Sequence, residues 1–195
     1  NSIFYQHLGK DFIKNAFIAA RAADGAADLY YNDYNIEQNN AKTTFLLSML
    51  DELKAANVPI TGVGFQMHVG RTFPSIANIK AAFQAVVAKN LKVRISELDV
   101  HMSDDRTTDG VANGTMTSLS PADALLEKQR YKEIVLAYKE VVPLNLRGGI
   151  TIWGINDGES WLIPFYGSPD WPLLFNDDFS TKLAFDGVAE ALLSP

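Results

Sequence analysis

The chain has 195 residues, 47% hydrophobic and 21% charged, which is apolar material for a core in one domain, or two small ones. It has no cysteine, which excludes disulfide scaffolds, cysteine nucleophiles, thiolate zinc sites and iron–sulfur clusters. A net charge of −6 without any basic run argues against nucleic acid or anionic membrane as partners, and no apolar stretch approaches the roughly 18–20 residues of a membrane span.

Helical and strand patterns alternate along the chain. Lys10 to Ala23 carries an apolar stripe of Phe12, Ile13, Ala16, Phe17 and Ala20 at helical spacing. Asp28–Tyr34 is short, aromatic and strand-like. Ala41 to Ala56 is helical again, with Phe45, Leu46, Met49, Leu50 and Leu53 on one side, and Asn57-Val58-Pro59 stops it. Ile60–Gln66 reads as a strand, and Ser75 caps a helix with the stripe Ile76, Ile79, Phe83, Val86 and Val87. Lys92–Leu98 is a strand, followed by a polar loop from Ser103 to Leu119. Ser120-Pro121 opens a helix whose stripe includes Leu125, Ile134, Val135, Tyr138 and Val141. Gly149–Trp153 is the last strand, Asn156 to Ser180 a second long loop, and Lys182 to Leu193 a final helix. One helix followed by four β-then-α units implies a parallel sheet with helices packed outside. An open doubly wound sheet and part of a (β/α)8 barrel both fit.

Residues i and i+2 of a strand share a face, and in each strand one face turns polar or aromatic towards the C-terminal end. These sets are Tyr30, Asn32 and Tyr34; then Gly62, Gly64 and Gln66, with His68 beyond; then Val93, Ile95, Glu97 and Asp99; then Gly149, Thr151 and Trp153. A barrel builds its active site at that end. Glu97 ends an apolar strand, where an unpaired carboxylate is costly. It reads as a catalytic carboxylate or as half of an ion pair with Arg94, although Arg94 falls on the opposite strand face. His68 could donate a hydrogen bond to one carboxylate and contact the other, so that Asp99, His68 and Glu97 form a chain holding a nucleophile. A packed core or loop histidine is the plainer reading of His68. The same three residues could approach a metal, but no ligand-spaced motif supports that. His7 and His101 read as surface or loop residues. Gly62-Val63-Gly64 precedes no helix cap and reads as room made beside a ligand or inside a barrel. Trp153 and Trp161 flank a Gly/Asn/Asp segment and are candidate ligand platforms, with Trp171 a weaker one.

Tyr30–Glu37 (YYNDYNIE), Gly62–His68 (GVGFQMH), Arg94–Val100 (RISELDV) and Thr151–Leu162 (TIWGINDGESWL), in this order, resemble glycoside hydrolase family 10. Pro172–Phe175 (PLLF) also resembles that family, and the likeness runs from Tyr5 to the C-terminus. The resemblance implies a retaining endo-β-1,4-xylanase on a TIM barrel. It makes Glu97 the nucleophile, His68 and Asp99 its hydrogen-bonding neighbours, and Gln66 a sugar-binding residue. It places Asn32 and Tyr34 near the cleavage point and the leaving-group side, and makes Trp153 and Trp161 the walls of the subsite for the cleaved sugar. No cofactor or metal is implied. The partner is xylan or xylooligosaccharide, which implies an extracellular, cell-surface or periplasmic location.

The sequence departs from the family in one respect. Retaining hydrolysis needs a second carboxyl about 5–5.5 Å from the nucleophile. In the family this is a Glu in an N-E motif at the end of the fourth strand, and neither Glu37 nor Glu52 matches it. Phe4 to Gly9 resembles the segment after that strand. The expectation is therefore that residues 1–195 are the C-terminal half of the catalytic barrel, strands five to eight, without the acid/base. Such a half would be inactive alone, would pair with its missing N-terminal half, and could self-associate through open sheet edges. Rival readings are a non-catalytic carbohydrate-binding module and an unrelated α/β hydrolase or metal enzyme on a doubly wound sheet.

Overall fold

The computed structural model describes residues 2–103 and 116–194. Two helices, α1 (Ile3–Leu8) and α2 (Asp11–Ala23), precede strand β1 (Tyr30–Asp33). Helix α3 (Ala41–Ala55) leads to β2 (Gly62–Phe65) and β3 (His68–Gly70); α4 (Ile76–Val87) leads to β4 (Lys92–His101). Helix α5 (Pro121–Val141), β5 (Arg147–Ile152), α6 (Leu162–Tyr166) and α7 (Leu183–Leu193) complete the chain. Among the described residues, no helix is long and apolar enough to cross a membrane.

Helix starts follow local chemistry. The Asn40 side chain accepts from the Thr43 amide while the Thr43 side chain answers the Asn40 amide, forming a capping box for α3. Ser75 accepts from the Asn78 amide to cap α4, and Ser120 does the same for α5 from Asp123, with Pro121 in the first turn.

All strand pairs are parallel. β1 pairs with β2, β2 with the start of β4 (Gly62 opposite Lys92), β3 with its end (His68 opposite Asp99), and β5 also with β4. The sheet therefore runs in chain order with no reversal. A doubly wound sheet reverses its order at a switch point, so this is part of a (β/α) barrel. The core lies on the outer face, where Val63, Phe65, Val93 and Ile95 meet Leu50, Ile79, Phe83 and Ile134, all fully buried. The opposite face carries Tyr30, Asn32, Arg94, Ser96 and Gly148 around an open concavity.

Several features differ from the sequence expectation. Phe45 and Leu125, placed on buried stripes, are 69% and 59% exposed. The second long loop contains a helical turn at Asp157–Glu159 and helix α6. Most of the first long loop lies outside the described residues. The largest correction concerns the face of β4, since Val93 and Ile95 point into the outer core rather than sharing the face of Glu97. Between the pairs Ile95–Ile150 and Leu98–Ile152, β4 advances three residues while β5 advances two. This β-bulge puts an extra residue at Ser96–Glu97, so the side chains of both reach Asn32. A second irregularity, between Val93–Arg147 and Ile95–Ile150, inserts a residue on β5 at Gly148-Gly149, where Gly149 has φ +98°. Strict two-residue alternation fails wherever a bulge intervenes.

Candidate active site

At the C-terminal end of the sheet, residues at or just beyond the strand ends surround a cavity of about 440 Å³. It is lined by Tyr34, Gln66, His68, Asp99, Trp153 and Trp161 among others. Glu97 stands between this cavity and the concavity of the inner face, touching a residue of each. The Asn32 amide Nδ2 donates to Glu97 Oε1 at 2.8 Å, and His68 Nε2 lies 3.4 Å from Glu97 Oε2. His68 Nδ1 is 3.0 Å from Asp99 Oδ2, which also accepts from Trp161 Nε1 at 2.8 Å. The structure thus brings Asn32, Glu97, His68, Asp99 and Trp161 into one connected network. The alternative ion-pair partner of Glu97 is elsewhere: Arg94 donates to the Gly148 carbonyl and the Thr151 hydroxyl.

Backbone geometry explains why His68 arrives there. Met67 has φ +65°, which breaks the extended chain between β2 and β3 and resets the face on which His68 falls. The Gln66 carbonyl accepts from the Glu97 amide at 3.1 Å, locking this kink to the bulge of β4. Burial of His68 opposes its charged form, but the hydrogen bond and charge of Asp99, reinforced by Glu97, outweigh it and raise the imidazole above its ordinary value. A protonated imidazole would donate to both carboxylates at once.

The aromatic residues form a wall. The His68 ring meets Trp161 edge-on at 5.1 Å and Trp153 at 6.3 Å. Trp161 contacts Phe165 at 5.1 Å, and Phe165 contacts Tyr166 at 4.9 Å. Trp153 remains 45% exposed and Tyr34 54% exposed, with Lys42 Nζ 3.7 Å from the Tyr34 ring centroid. Trp171 lies outside this cavity, beside Asp157, Asp170 and Asp177.

Two groups escaped the sequence reading. His101 is buried rather than on the surface; its Nε2 is 3.0 Å from Asp170 Oδ2 and its ring stacks on Tyr166 at 4.6 Å. The signal was available, because His101 follows Glu97 and Asp99 at intervals of two and β4 continues to it. The second group is Lys182, whose Nζ lies 2.8 Å from Glu127 Oε1 and 2.9 Å from Asp157 Oδ2 and donates to the carbonyls of Trp171 and Leu173. No local pattern joins residues so far apart in sequence. Lys182 ties the segment between Trp153 and Trp161 to helix α5.

One ammonium between two buried carboxylates leaves an excess negative charge. Glu127 Oε2 has no hydrogen-bond partner among the described residues, and burial pushes this carboxyl up to about 8 against the pull of Lys182. The folded state holds a proton there that the unfolded chain releases near the ordinary value of 4.5. Stability from this group is therefore complete below that value and is lost as pH rises through about 8. Asp170, pushed by burial up to about 6, acts in the same direction at lower pH. Urea midpoints measured from pH 6 to 9 should fall in the native protein, with a smaller slope in Glu127→Gln; an unchanged slope would refute the proton on Glu127.

The chain is 51% identical over 197 residues to endo-1,4-beta-xylanase A of Cellvibrio japonicus, covering 98% of this chain and 32% of that protein. A thermostable mutant of xylanase Xyn10A from the same organism superposes with a TM-score of 0.89 at 50% identity, covering 99% of this chain and 57% of that one. A mutant of xylanase 10C from Cellvibrio japonicus, solved in complex with xylopentaose, superposes with a TM-score of 0.92 at 46% identity, covering 98% of this chain and 39% of that one. The chain thus spans from about a third to somewhat over half of these relatives. Residues 1–191 match the family model for glycosyl hydrolase family 10, and the chain belongs to that family.

Proposed function

We propose that residues 1–195 form the C-terminal half of the catalytic barrel of a retaining endo-1,4-β-xylanase, carrying the nucleophile, with the acid/base carboxyl supplied from outside this chain. The observation that supports this is the Glu97 carboxylate, with Asn32 on one oxygen and His68 on the other, His68 being backed by Asp99. In this reading a Glu97 oxygen attacks the anomeric carbon while the glycosidic bond breaks and its electron pair leaves with the departing sugar. Water then hydrolyses the glycosyl ester. The acid would protonate the departing oxygen and, as base, deprotonate the water. Among the cavity-lining described residues the carboxylate is Asp99, already engaged by His68 and Trp161, which suits an orienting role rather than the acid.

Trp153 and Trp161 would wall the subsite for the cleaved sugar, with Gln66, Asn32 and Tyr34 contacting sugar hydroxyls and the leaving-group side. Xylan or xylooligosaccharide is the proposed partner, in line with the xylopentaose complex of the Cellvibrio relative. A polymeric substrate favours an extracellular, cell-surface or periplasmic site of action. The outer edges of β1 and β5 would pair with the other barrel half, or with a second copy in its absence.

Covalent trapping tests the nucleophile. A dinitrophenyl fluoro-xylobioside, with fluorine next to the anomeric carbon, loses dinitrophenolate without protonation and leaves a slowly hydrolysed glycosyl ester. The native chain should gain one glycosyl mass on the peptide containing Glu97, and Glu97→Gln should gain none. Saturable xylooligosaccharide binding without any adduct would instead favour a carbohydrate-binding module.

A further inference from the structure

The bulge that turns Glu97 inward also turns Ser96 inward, and both side chains converge on Asn32. Ser96 Oγ lies 2.5 Å from Asn32 Oδ1 and 3.2 Å from the Phe65 carbonyl, so its single hydrogen has its nearer acceptor in the amide oxygen. An amide has a donor end and an acceptor end. With Oδ1 taken by the serine hydroxyl, Nδ2 is the atom left to face Glu97 Oε1, at 2.8 Å. Gly64 makes the space: a Cβ added there would lie 2.4 Å from Asn32 Oδ1.

We infer that Ser96 is a positioning residue, setting the orientation of the Asn32 amide against the bare face of Gly64 so that its NH2 group, not its oxygen, meets the Glu97 carboxylate. Without the hydroxyl, the amide can rotate and present oxygen to oxygen, leaving that carboxylate oxygen without its donor. The function of Ser96 rests on the assignment of Glu97 as nucleophile; the orientation of Asn32 does not.

The experiment has two readouts on the same variants. In Ser96→Ala, trapping of Glu97 by the dinitrophenyl fluoro-xylobioside should slow about tenfold at unchanged probe affinity, the weight of a hydrogen bond to a charged group at a partly exposed site. Ser96→Thr keeps the hydroxyl and should restore the rate. Gly64→Ala, which crowds the amide, should reproduce the Ser96→Ala defect. Independently of any chemistry, the Asn32 side-chain NH2 signal in a nitrogen–proton NMR spectrum should move in Ser96→Ala towards that of a free amide and return in Ser96→Thr. An unmoved Asn32 signal overturns the inference whether or not Glu97 is labelled. If the native chain takes no label, the nucleophile assignment fails, while the NMR result still decides the role of Ser96. A moved signal with an unchanged trapping rate rejects Ser96 as a determinant of reactivity.

Discussion

Replacing Lys182 with methionine is expected to destabilise the fold by about 3–5 kcal/mol, the usual cost of removing one partner from a buried ionic cluster. Lys182 is 6% exposed, and Glu127 and Asp157 are 0% and 3% exposed. Taking away the ammonium leaves the buried Asp157 carboxylate without its counter-ion beside Glu127, which burial keeps protonated below about pH 8, and strips donors from the Trp171 and Leu173 carbonyls. Methionine keeps the stem packing, so the loss reports charge and hydrogen bonds rather than a cavity. Equilibrium urea unfolding measures it. The double variant Lys182→Met with Glu127→Gln should recover part of the loss, because folding no longer has to keep a proton on a buried acid that the unfolded chain has released. Additive losses would mean that the two side chains do not act as a cluster. The consequence reaches the site, since Asp157 sits between Trp153 and Trp161 and Lys182 anchors it.

The isolated chain is expected to show a pronounced dependence on the leaving group. A dinitrophenolate departs unprotonated, whereas a xylan alkoxide needs a general acid worth about 10²–10⁴-fold. Dinitrophenyl xylobioside should therefore give a burst of up to one equivalent of phenolate per chain. The burst should be followed by a slow phase, because on the proposed reading the base that would assist hydrolysis of the glycosyl ester is supplied from outside this chain. Azide, a nucleophile that needs no base, should speed that slow phase. Xylan itself should be turned over about 10²–10⁴ times more slowly than by a barrel with both carboxyls. Steady hydrolysis of xylan by the purified chain, abolished in Glu97→Ala, would show that the acid/base lies within these residues.

Much of the fold was legible because it is written in local physics. Ser75 and Ser120 cap helices through their own side chains, and buried stripes such as Leu46, Leu50 and Leu53 repeat at helical spacing. Parallel topology followed from alternation. The errors cluster where one segment's environment is set by another. Phe45 is apolar and in phase, yet faces solvent. His101 looked like a loop residue because the polar stretch after it masked the end of β4.

By itself, the sequence determined the order of the longer helices and the four main strands, the parallel sheet, the motifs that join the chain to its family, and the identities of the residues now gathered around Glu97; it missed α1, β3 and α6. Alternation alone fitted both an open doubly wound sheet and a barrel segment; the family motifs pointed to the barrel, and the tertiary structure supplied the strand neighbours that make it one. It alone decided that Val93 and Ile95 face the core while Ser96 and Glu97 both face Asn32, because a bulge is defined by two strands falling out of step. It also joined Lys182 to Glu127 and Asp157 across 55 and 25 residues of chain. Periodicity encodes contacts within a helix or strand; contacts between distant segments exist only once the chain has closed on itself.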